Sequence, residues 1–235
     1  MDDTRTAPQP AGTGYRLVVE PERLVAGFAV VACVLLLVHV ALTIYHYQVE
    51  ELPWIPWRQL FDVDEEENLP TWFSGFLLGV TAFWVWVAAE DKRGSADRWW
   101  VHWTLLAGGF LLLCLDEIAG LHESINTVIE VNWAIPGGIF ALLTGLMFFP
   151  FLWSLPARTR NAFVLAGCIY LGGAVGVEII GEPMDADTMT YNLTTAVEEV
   201  MEMGGVIVFI AALLRYMSRA QGDSRDIRVT VGLSE

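Results

Sequence analysis

Along the chain, apolar residues neither alternate nor follow a 3.6-residue amphipathic period. They come in blocks of about twenty, the length at which a helix crosses ~30 Å of hydrocarbon. Six blocks can be drawn, at residues 24–45, 71–89, 99–115, 135–155, 162–180 and 197–217, the third continuing as helix towards Ile125. A segment in lipid must satisfy its backbone internally, and these blocks are too long and uniform for barrel strands. The expected fold is therefore all-α, a polytopic six-transmembrane-helix bundle. Pro70 and Pro136 suit the first turns of the second and fourth helices.

The flanks read differently. Residues 1–22 are polar, hold three Pro and two Gly, and are expected to form a tail without fixed structure. Residues 23–218 form the transmembrane domain and 219–235 a C-terminal tail. The first block is too long for a signal-peptide core and has no clear cleavage site, so it reads as an uncleaved span.

Charge adds orientation. Of the 13 bases, twelve lie in the N-terminal tail, the loops after spans two and four, and the C-terminal end; only Arg58 lies on the opposite side. Positive charge stays cytoplasmic, so both termini are expected inside a cell membrane, inner or plasma. Trp99, Trp100 and Trp103 read as an interfacial belt on that side, Trp54 and Trp57 as one on the other. The formal charge of −15 and the lack of a basic patch exclude nucleic acid as a partner. The three cysteines stand singly inside apolar blocks and read as small core residues. Glycines such as Gly172 and Gly176 read as close-packing points between helices.

The acids are biased the other way, and several enter the apolar blocks. From Arg98 to Asp116 and from Arg160 to Glu178 is 18 residues each, about 27 Å of helix; from Arg215 back to Glu202 is about 20 Å. Asp116, Glu178, Glu198 and Glu202 are thus expected in one layer at the outer membrane edge, Glu202 somewhat deeper; Glu117 and His122 follow Asp116 but point elsewhere unless the helix kinks near Gly120. Glu198 and Glu202 share a helix face, with Glu199 beside them. So many carboxylates cannot all be ionised in low dielectric without protons or a cation to balance them. Carboxylates with a histidine suit a divalent metal ion, which makes these six residues candidate metal ligands. The pattern lacks the Glu-x-x-His of helical di-iron proteins. Helix starts also favour acids through the macrodipole, which alone could account for Glu198 and Glu199. The acids at 62–67 read as a solvated loop. His39 and His102 read first as structural histidines.

The segments NLPTWFS (68–74), LDEIAGLHE (115–123) and EEVMEM (198–203) resemble those of a group of uncharacterised bacterial multi-pass membrane proteins. The resemblance covers most of the chain from span two onward. It implies the same six-span bundle and singles out the same acids, without naming a reaction. The sequence therefore leaves three classes open: a metal-dependent membrane enzyme, a cation or proton transporter using the same carboxylates, and a structural subunit that meets a membrane partner or a second copy. Beyond the lipid bilayer, no partner is specified.

Overall fold

A computed structural model describes residues 14–49, 56–64, 68–121, 131–222 and 226–232. Apart from one two-stranded ribbon, the regular structure there is helical: α1 (Pro21–Gln48), α2 (Pro56–Phe61), α3 (Leu69–Gly94), α4 (Trp100–Ala119), α5 (Ala134–Ser154), α6 (Ala157–Leu171), a π-helical turn (Gly172–Val177), α7 (Glu178–Gly181) and α8 (Met189–Ala220). Five segments are long and apolar enough to cross a membrane: α1, α3, α4, α5 and the run from α6 to α7. The sixth expected span lies in α8, which is the longest of these helices but is interrupted by Glu198, Glu199 and Glu202.

The helix ends follow local chemistry. Asn68 caps α3 by accepting from the Thr71 N–H at 3.1 Å, with Pro70 in the first turn as expected. Thr188 caps α8 by accepting from the Tyr191 N–H at 3.3 Å. Helix α4 ends before the expected continuation towards Ile125, which itself lies outside the described residues. Gly120 takes the left-handed conformation (φ 54°) and ends α4 at Ala119, because its N–H turns back to the Asp116 carbonyl and only glycine adopts this geometry without strain.

Helix α8 runs through the middle, packed against α1, α3 and α6. Met203, Val206, Ile210, Leu213 and Leu214 are buried along it, and the core continues into Leu77, Leu78 and Val85 of α3. Helices α3 and α4 pair closely, whereas α5 leaves most of its large apolar side chains exposed, as a lipid-facing helix does.

The termini depart from the expected unstructured N-terminal tail. Strand β1 (Gly14–Val19) pairs antiparallel with β2 (Ile227–Gly232), Gly14 opposite Gly232 and Val19 opposite Ile227. The β-branched residues of RLVV and IRVTV favour extended backbone, and each segment supplies the other's ladder.

A carboxylate well at one end of the bundle

Successive turns of α8 carry Glu198, Glu199 and Glu202 into the bundle, within electrostatic range of Glu117 from the last turn of α4. Glu202 lies within electrostatic range of Glu199, Glu117 and Glu198, and Glu199 within range of Glu117 and Glu198. The Tyr170 hydroxyl of α6 donates a hydrogen bond to the Glu202 carboxylate. Tyr170 also feels Asp116, so six polar side chains from three helices gather at this level.

Two glycines bring α6 this close to α8. A Cβ at Gly173, in the π-helical turn, would stand 2.8 Å from the Glu198 carbonyl oxygen. At Gly205 it would stand 2.8 Å from the Tyr170 nitrogen and 2.9 Å from the Ala166 carbonyl oxygen. Both neighbours are backbone and cannot swing aside, so these positions require glycine at this helix separation.

Above the well, the acids continue to the surface. Asp64 is exposed, accepts from the Tyr191 hydroxyl at 2.9 Å and lies within range of Glu199. Partial burial, then the hydrogen bond to Asp64 and its negative charge, push the Tyr191 phenol above its ordinary range. Asp64, Glu199, Glu202 and Tyr170 thus descend as a ladder. From Tyr191 to Glu202 is eleven residues of α8, about 16 Å.

A latch of buried polar groups fixes this end. His39 of α1 accepts the Val63 N–H at Nδ1 (3.2 Å), and its Nε2 faces the Asn192 carbonyl at 3.3 Å. These partners assign the neutral Nε2–H tautomer. Asp62 Oδ1 also stands 3.5 Å from Nδ1, but with that lone pair engaged by Val63 the contact is not an ion pair; Asp62 instead faces Arg58 Nε at 3.8 Å. Asn192 donates to the Thr188 carbonyl at 3.0 Å and reaches the Tyr47 hydroxyl at 3.4 Å. His39 is therefore structural, tying α1 and the segment before α3 to α8.

Below the well the bundle is aromatic. Phe209 lies between Phe163 (centroids 4.3 Å apart) and Phe110 (4.7 Å). Further down, Trp103 stacks on Tyr216 at 5.5 Å and meets Phe151 at 5.1 Å. His102 lies among Trp99, Phe148 and Phe151, its Nδ1 buried without a hydrogen-bond partner. The bases of this end rest on rings: Lys92 over Tyr216, Arg93 over Trp100, Arg98 over Trp99 and Arg160 over Trp153, at 4.4–5.5 Å.

Of the six candidate ligands, Glu117 and Glu198 lie within electrostatic range of Glu202, and Asp116 within range of Tyr170. Glu178, just beyond the π-helical turn, is not among the acids that act on Glu199 or Glu202; it accepts from Asn132 Nδ2 at 3.2 Å and lies within electrostatic range of Tyr191. His122 lies outside the described residues, as do Glu123 and the Trp54 of the expected outer belt. Among the described residues no three His, Cys, Asp or Glu side chains converge in a way that could hold a metal ion, so the expected divalent-metal centre is not supported. Sequence reasoning missed Tyr170 and Asp64. Tyr170 carries no local signal, whereas Asp64 was hidden by its membership of an acidic run.

Among curated proteins and solved structures, none matches this chain. A family described as Domain of unknown function (DUF8692) matches residues 27–217, which takes in all the helices from α1 to the last turns of α8 and the whole well. The chain belongs to that family.

Proposed function

We propose that the protein is a six-span membrane protein with both termini cytoplasmic, and that the carboxylate well takes up protons or a small cation from the outer face. The observation that carries this is the placement of Glu198, Glu199 and Glu202 on the central helix, beside Glu117 and hydrogen-bonded by Tyr170. No Lys or Arg occurs between Arg98 and Arg158 or between Arg160 and Arg215, so the segments that carry these carboxylates supply no base of their own to balance them. Pairing of β1 with β2 supports an even number of crossings, since it puts the two ends of the bundle on one side. The aromatic layer below Glu202 favours a site loaded from one face over a continuous transport path.

Infrared difference spectra of the protein in lipid nanodiscs test this, titrated with acid and separately with Na+, K+ and Ca2+. A protonated-carboxyl band, or a cation-induced shift of the carboxylate band, is expected in the wild type and lost in Glu202→Gln and Glu199→Gln. Identical titrations of the wild type and both variants would overturn the reading. Stoichiometric divalent metal in the purified protein, lost in Glu117→Gln and Glu202→Gln, would point instead to a metal-dependent membrane enzyme.

A further inference from the structure

At the basic end, away from the well, the first turn of α6 and the last turns of α5 enclose an open groove of about 500 Å³. Its wall is apolar: Phe149 and Trp153 of α5, stacked at 5.2 Å, face Val164, Leu165 and Cys168 of α6. Arg160 stands at its mouth, its guanidinium 4.4 Å from the Trp153 ring, with Asn161 beside it and Arg158 exposed close by in the same turn. Neither arginine has an ion-pair partner among the described residues, although the chain holds 28 acids against 13 bases. The connection from Ser154 to Ala157 contains no carboxylate. The N–H groups of the first turn of α6 add the positive end of the helix dipole to the same place.

From Arg160 to Cys168 the groove runs about 12 Å along α6, close to the ~15 Å depth of one leaflet's hydrocarbon. We propose that this groove is a binding site for an anionic phospholipid, with the headgroup phosphate at Arg160 and the α6 N-terminus, Arg158 adding positive charge from the same turn, and one acyl chain along Phe149, Val164 and Leu165. Phosphate suits a guanidinium fork, and basic recesses between membrane helices are recognised headgroup sites. The stacked Trp153 holds the Arg160 guanidinium over the groove mouth, which lowers the ordering cost of binding.

The test uses the full chain, delipidated in detergent and returned to phosphatidylglycerol or phosphatidylcholine. Native mass spectrometry counts retained lipid. One phosphatidylglycerol per chain is expected, retained in preference to phosphatidylcholine. Arg158→Gln with Arg160→Gln should weaken retention about thirtyfold, each arginine near a headgroup being worth roughly fivefold. Trp153→Ala should weaken retention of both lipids, and phosphatidylglycerol with brominated acyl chains should quench less fluorescence in Trp153→Phe than in the wild type. Thermal unfolding of each variant reports folding, and Glu202→Gln should retain lipid like the wild type. Equal retention of the two lipids, unchanged retention in a folded double-arginine variant, or quenching that ignores Trp153 would each overturn the proposal.

Discussion

Gly205 and Tyr170 meet backbone to backbone: a methyl group on the glycine would come to 2.8 Å from the tyrosine nitrogen. That contact sets how far α6 stands from α8, and so whether the Tyr170 hydroxyl reaches Glu202. Gly205→Ala should push the helices apart and destabilise the protein by about 1–3 kcal/mol, the usual cost of overpacking. Thermal unfolding in detergent measures it. An unchanged melting temperature would show that the helices are not held at this separation.

Tyr170→Phe keeps the ring and removes one donor. The Glu202 carboxylate loses its hydrogen bond in a poorly solvated place, at a cost of roughly 1–3 kcal/mol. If the well binds a proton or cation, the titration of Tyr170→Phe should also move away from that of the wild type. A variant in which stability falls but the titration stays put would separate a packing role from a role in the well.

Tyr191 gives a pH dependence with a definite sign. Burial and the Asp64 contact raise its phenol above the unfolded value of ~10, so the native state keeps a proton that the unfolded chain releases. This contribution is fully present below pH ~10 and is lost as pH rises beyond it. Unfolding free energy of the wild type should therefore fall more steeply above that pH than in Tyr191→Phe. Parallel slopes would dissociate Tyr191 from Asp64.

His39→Leu should leave the Val63 N–H buried without its partner, while the Asn192 carbonyl loses its bond to His39 and keeps the one made inside α8. The orphaned N–H costs about 1–3 kcal/mol. Hydrogen exchange at Val63 and Asp64 should accelerate more than exchange in α4. Uniform acceleration would mean that the latch contributes to the whole bundle and does not hold this segment in particular.

The helices were legible because a bilayer demands apolar runs of one length, and those runs coincide with α1, α3, α4, α5 and the α6–α7 segment to within a few residues. The carboxylates of α8 and Glu117 stand out in the sequence too, as charges placed where lipid disfavours them. Tyr170 was not, because its role depends on the phase between two helices, set by contacts at Gly173 and Gly205 that no local pattern encodes. Glu178 was misplaced for the same reason: straight α-helical counting carries no warning of a π-turn in GGAVGV. Counting apolar residues also carried α4 past Gly120, where the glycine instead takes a left-handed conformation and ends the helix.

Phe110, Phe163 and Phe209 pack together beneath Glu202, so a charge taken up by the proposed well would leave by the way it came. In an energised membrane such a blind alley still samples part of the voltage, since each elementary charge gains about 2.3 kcal/mol per 100 mV over the full drop. Occupancy would then rise and fall with membrane polarisation while no steady current flowed, which is the electrical behaviour of a gauge and not of a conduit.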